Sequence, residues 1–97
     1  MARVIVPLAE GFEEIEAVTV IDLLRRAGIE VQTAALASLR VTGSHGIAVE
    51  ADGLLEELQH EAFDMIVLPG GMPGADHLKN DPRVVSLLRS FDQQGRY

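Results

Sequence analysis

The sequence predicts an α/β fold, a doubly wound and mostly parallel sheet of which these 97 residues supply about half. Three observations carry this expectation. Met65-Ile66-Val67-Leu68 runs straight into Pro69-Gly70-Gly71. A short apolar run bounded by turn residues reads as a strand buried on both faces, as in a parallel sheet. Near the amino end, Val4-Ile5-Val6 is followed by a helical stretch and a second β run. That β-α-β opening implies parallel strands joined by a right-handed crossover. Finally, the last helix completes a crossover, and the chain reaches Tyr97 where such a sheet would add a further strand.

The elements follow in order. Val4 to Val6 is the first strand, and Pro7 to Phe12 its loop, with Gly11 inside it. Glu13 to Ala27 has helical spacing, with Arg25 and Arg26 in the last turn and Gly28 as a left-handed cap. Ile29 to Ala34 alternates as a second strand. Val41-Thr42 and Ile47-Ala48-Val49 flank Gly43-Ser44-His45-Gly46, which suggests a hairpin or small flap. Leu54 to His60 reads as a short helix, and Asp64 to Leu68 as the buried strand. Ala75 to Lys79 fits a helical turn. Asp81-Pro82 is a strong helix start, a side-chain cap followed by proline at the first helical position. Val84, Leu87, Leu88 and Phe91 then recur at helical spacing, and Gly95 ends the helix.

Composition narrows the function classes. The net charge of −7 leaves no basic face for phosphates, so nucleic acid is not an expected partner. There is no cysteine, which removes disulfides, thiolate metal sites and a thiol nucleophile from these residues. No segment approaches the roughly 18 apolar residues of a membrane span, and the first apolar run is short for a signal peptide. A cytoplasmic location without membrane partners is the expectation.

Two features of the first helix bear on function. Ala17, Val20, Ile21, Leu24 and Ala27 share the face expected to meet the sheet. Ile15, Val18, Thr19, Asp22 and Arg26 lie opposite. Ile15 and Val18 there fit either a subunit interface or ordinary scattered surface apolar residues. Glu16 falls at the edge of the sheet-facing stripe, where a carboxylate partly withdrawn from water could share a proton with a nucleophile. A simpler account covers Glu10, Glu13, Glu14 and Glu16 together: acids in a first helical turn offset the positive end of the helix dipole.

Gly70-Gly71-Met72-Pro73-Gly74 lacks the Gly-Lys-Ser/Thr ending of a phosphate loop and the spacing of a dinucleotide fingerprint. What remains is either a tight strand-to-helix turn or a turn whose backbone N–H groups hold an oxyanion. The three histidines are weak signals. His60 and His77 sit in polar surroundings, and His45 at the flap tip could reach a cleft or simply be solvated. No two of them have metal-ligand spacing.

Taken jointly, Glu10-Gly11-Phe12-Glu13-Glu14-Ile15-Glu16-Ala17-Val18, Asp22 to Gly28, Asp64 to Gly71 and Gly74-Ala75 resemble the ThiJ/PfpI superfamily. The likeness is strongest to its parkinsonism-associated deglycase and YajL-like branch, and it covers the whole chain. The resemblance implies a flavodoxin-like, three-layer α/β sandwich, a homodimer, and a reactive cysteine at a strand-to-helix elbow. It implies that Glu16 hydrogen-bonds that cysteine and lowers its pKa, and that the Gly71 N–H belongs to an oxyanion hole. Gly70 and His45 become substrate-binding candidates. His45 stands where several relatives carry an arginine. Ile15, Val18 and Arg26 become interface residues.

The departure is the missing cysteine. In relatives it follows within about a dozen residues of the glycine ending the long helix, here Gly95. The expected partner is therefore a cysteine-bearing C-terminal portion of the same protein. The expected chemistry is cysteine-dependent attack on reactive dicarbonyls or their protein adducts, with no metal or organic cofactor. Two rival functions are a redox-responsive stress protein or chaperone, and an amidotransferase- or peptidase-like hydrolase.

Overall fold

Alternation along the first strand decides where the layers go. The computed structural model describes residues 2–71 and 74–93. In β1 (Arg3–Leu8), Val4, Val6 and Leu8 face one side and Ile5 the other. Successive strand residues point to opposite faces, so a fully apolar strand needs cover on both. On the first face, α1 (Glu14–Arg26) packs Ala17, Ile21 and Leu24 against Val4, Val6, Leu8, Val31 and Ala35. On the second, Ile5 and Ala34 meet Leu55, Leu58, Leu78, Val84, Leu87 and Phe91. The result is a helix–sheet–helix sandwich.

The central sheet is parallel throughout, with strand order β5-β2-β1-β6. Here β2 is Glu30–Ala35, β5 is Gly53–Leu54 and β6 is Met65–Ile66. Val4 lies beside Val31 on one side and Met65 on the other. A separate antiparallel hairpin joins β3 (Arg40–Thr42) to β4 (Ala48–Glu50), with Val41 opposite Val49. The helices over the second face are α2 (Leu55–Leu58), α3 (Gly74–Asn80) and α4 (Pro82–Gln93).

The helix signals hold. Glu13 caps α1 by accepting from the Ile15 N–H at 3.1 Å. Gly28 closes the other end with φ +80°, and the Ile29 N–H donates to the Leu24 carbonyl at 3.1 Å. Asp81 accepts from the Arg83 and Val84 N–H groups at 2.8 and 3.3 Å and so starts α4. Gly95, expected to end it, lies outside the described residues.

Three expectations are corrected. The run 65–68 is not buried on both faces: Met65 and Leu68 are 38% and 40% exposed. Strand geometry is confined to Met65–Ile66, although the Val67 N–H also donates to the Ile5 carbonyl at 3.0 Å, and it is an edge strand, with nothing pairing its outer side among the described residues. The segment beginning at Leu54 is not helical from the start. Gly53 and Leu54 first pair with Ala34 and Ala35 as β5, and the helix is confined to Leu55–Leu58. The second strand runs one residue later than alternation suggests, from Glu30 to Ala35. No helix among the described residues is long and apolar enough to cross a membrane.

Candidate functional site

The turn into α1 is where three parts of the chain meet. Gly11 takes φ +84°, which swings the loop after β1 across the sheet end. Its N–H donates to the Thr42 carbonyl at 2.8 Å, and the Ser44 N–H donates to the Phe12 carbonyl at 2.8 Å. Glu10 accepts from the Thr42 N–H at 2.6 Å. These bonds fasten the β3–β4 hairpin to one side of the turn.

The turn after β6 fastens to the other side. The Glu13 N–H donates to the Gly70 carbonyl at 2.9 Å, and the Gly70 N–H donates to Glu16 Oε1 at 2.9 Å. Glu16 and Gly70 are thereby joined across 54 positions of sequence. Gly71 has φ +100°, and a Cβ there would stand 2.6 Å from the Glu13 nitrogen and 2.9 Å from the Gly11 carbonyl oxygen. No side chain fits between those backbone atoms. At Gly70 a Cβ would come 3.1 Å from the Glu16 carboxylate. The carboxylate of α1 and the glycine turn are thus one unit, built from backbone packed on backbone.

Burial falls on a different acid from the one the helical stripe suggests. Glu16 is exposed in this chain. Glu14 is the buried carboxylate, with 5% of its surface accessible. It points away from the Gly70 turn and into the hairpin tip. Its Oε2 accepts from the His45 and Ile47 N–H groups at 2.8 and 3.2 Å. Its Oε1 lies 3.2 Å from His45 Nδ1 and 3.4 Å from Ser44 Oγ. Burial alone would raise the pKa of this carboxyl. The N–H donors of Glu14 itself, His45 and Ile47, with the His45 ring, outweigh burial and hold it at about 2. A Cβ on Gly43 would stand 2.3 Å from the Glu14 carboxyl carbon, so the tip closes over the acid only because that position is glycine.

Glu13 thus serves the helix start as its cap, while Glu14, an acid of the first turn, also holds the hairpin, which the helix dipole alone does not account for. The signal for Glu14 lay in the hairpin: a tight Gly-Ser-His-Gly tip has backbone donors that need an acceptor. A helical wheel cannot see it, because a first turn contacts what precedes the helix as well as what lies beneath it.

His45 is exposed and held by Glu14 through both its backbone and its ring. Its side-chain hydrogen bonds go to Ser44 and Glu14, and none joins it to Gly70 or Gly71. Ile15 and Val18 are 77% and 48% exposed, on the face the wheel assigns them. Arg26 donates to Asp22 at 2.9 Å within the same helix. Glu13, Glu14 and His45 bring potential metal-ligating atoms within 4.8 Å of one another. The Glu14 oxygens are saturated by N–H and side-chain partners and Glu13 Oε1 caps the helix, so this cluster is accounted for without a cation.

Comparison with known proteins gives the chain's family. A family model described as "DJ-1/PfpI family" matches residues 2–97. Protein DJ-1 homolog B of Arabidopsis thaliana is 41% identical over 95 residues, which is 97% of this chain and 22% of that protein. A deglycase of Thermococcus kodakarensis is 28% identical over 94 residues, 97% of this chain and 56% of that one. The solved structure of oxidized Toxoplasma gondii DJ-1 superposes with a TM-score of 0.96 at 41% identity, covering 99% of this chain and 53% of the other. The chain spans between about a quarter and about half the length of these relatives.

Proposed function

The chain belongs to the DJ-1/PfpI family, and from that premise we propose that it supplies the acid-and-turn half of a cysteine-dependent site acting on reactive dicarbonyls or their protein adducts. One observation carries the reading: the Glu16 carboxylate and the Gly70–Gly71 turn are hydrogen-bonded into a single unit at the carboxyl end of β6. Open α/β sheets bind ligands at such strand ends, beside the point where the connections reverse direction. Here that point lies between β1 and β6. The naming of an archaeal relative as a deglycase agrees with the reading.

The roles follow from chemistry. These residues contain no cysteine, so the thiol comes from a C-terminal portion of the same protein. Glu16 takes up the thiol proton and, once protonated, donates a hydrogen bond to the thiolate, which attacks the carbonyl carbon. The Gly71 N–H steadies the oxygen that gains charge. Gly70 sets the distance between turn and acid, and His45, on the hairpin held by Glu14, meets substrate at the entrance. The assembled protein is a homodimer through the α1 face that carries Ile15, Val18 and Arg26.

The test is methylglyoxal turnover by the assembled protein. Glu16→Gln keeps the shape and a hydrogen-bonding group while removing the proton acceptor. A loss of at least about a hundredfold in kcat is expected for a proton-transfer group. Turnover equal to the parent protein removes Glu16 from the mechanism.

A further inference from the structure

A second concavity lies at the carboxyl ends of β1 and β2. It is a cleft of about 510 Å³, within the roughly 300–1,000 Å³ of small-molecule sites. None of Glu16, His45, Gly70 and Gly71 lines it. Its apolar wall comes from Leu8, Leu36, Val41 and Pro82. Its polar lining includes Glu10, Arg40, His77, Asn80 and Asp81.

The charges in that lining are not equivalent. Glu10 is occupied by the Thr42 N–H. Asp81 starts α4 and pairs with Arg83 at 2.9 Å, and the Arg83 hydrogen bond, opposed by burial, holds its carboxyl below the ordinary range. Arg83 is fixed in turn by a 2.8 Å bond to the Leu36 carbonyl. With Asp81 on its N–H groups, the start of α4 has no vacancy for an anion. Arg40 differs: it is exposed, and its side chain forms no ion pair or hydrogen bond to any described residue. It is a free guanidinium beside an apolar wall, in a chain of net charge −7.

We propose that this cleft is a binding site for a small organic carboxylate carrying an apolar body. The guanidinium presents paired donors that match a carboxylate, and the hydrocarbon portion covers Leu8, Leu36, Val41 and Pro82. A bare inorganic anion would use Arg40 and leave the apolar wall wet. A neutral hydrocarbon would leave Arg40 unmatched.

The experiment titrates the full ¹⁵N-labelled chain with 3-phenylpropanoate and, separately, with neutral 3-phenylpropanamide, following backbone amide shifts. The expected result is saturable movement at residues 36–40 and 77–81, with the carboxylate binding about tenfold tighter than the amide, or about 1.4 kcal/mol. Arg40→Gln, at an exposed position, should leave the remaining spectrum unchanged and abolish the preference. Equal affinity for the two probes overturns the proposal. So do shifts centred on Gly70 and Gly71, the absence of saturable shifts at millimolar concentrations, or a preference that survives Arg40→Gln.

Discussion

Glu14 and Glu16 are two positions apart on one helix and look in different directions, which separates their consequences. Glu14 holds the hairpin tip through the N–H groups of His45 and Ile47. Its pKa is about 2 in the folded chain against an ordinary 4.5, so its stabilising contribution is present above about pH 4.5. The contribution fades as pH falls through that interval and is gone below about pH 2. Amide spectra recorded from pH 6 to pH 2, a range set by that interval, should show the His45 and Ile47 N–H resonances leaving their folded positions before the β1 resonances do. Glu14→Gln should release the tip at neutral pH and remove the pH dependence. Tip resonances that stay fixed throughout would mean that the hairpin is held by other contacts. The glycines make a second pair of predictions. Gly46 has φ +81° with nothing within 4 Å of an added Cβ, so Gly46→Ala carries only the left-handed backbone cost, about 1 kcal/mol. Gly71 adds a backbone collision at 2.6 Å, so Gly71→Ala should cost about 3 kcal/mol or more. Urea midpoints of the two variants, compared with the parent chain, read the difference directly.

At the scale of elements, stability is concentrated where strand and helix fill one another. Leu55 opens the four-residue α2 and is fully buried against the face that Ile5 and Ala34 present. Leu55→Ala should cost about 2–5 kcal/mol in chemical unfolding, although α2 is far too short to be stable alone. Asp81→Ala removes the cap of α4 and should cost about 1 kcal/mol. If the two variants proved equal, the second face would be held by the helix start and not by the core. The same elements explain what could be read in advance. Asp81-Pro82 and Gly28 were legible because capping is a local property, fixed by a residue and its near neighbours. Gly53–Leu54 was not, because two residues carry no periodicity and become a strand only through their register with Ala34 and Ala35. The apolar run at 65–68 marks a strand, realised at Met65–Ile66, but its burial depends on what lies beside it in the sheet, which a local pattern does not record.

At the scale of the whole molecule, the acid-and-turn site is a long-range object. Glu16 and Gly70 meet only because β1 and β6 are neighbours in the sheet, so spacing does not show their hydrogen bond, and the family resemblance assigns both to one site without implying that bond. The same resemblance named Ile15 and Val18 as interface residues, and the helical wheel independently put them away from the sheet. Their exposure, 77% and 48%, fits either an interface or a scattered surface, and association distinguishes the two. Burying one aliphatic side chain of this kind is worth about 1.5–3 kcal/mol. A twofold interface repeats each contact, so a lysine at Ile15 or Val18 is felt twice and also places like charges opposite one another. The double variant Ile15→Lys, Val18→Lys should leave the unfolding of a monomeric species within about 0.5 kcal/mol of the parent, because both residues are surface residues there. In the assembled protein it should convert the dimer to monomer in sedimentation velocity at micromolar concentration. A parent protein already monomeric at that concentration, or a variant still dimeric, would show that this face of α1 is ordinary surface. Arg26 sharpens the outcome. Its 2.9 Å bond to Asp22 already satisfies it within one helix, so Arg26→Ala should weaken dimerisation far less than either lysine if aliphatic contact drives the association.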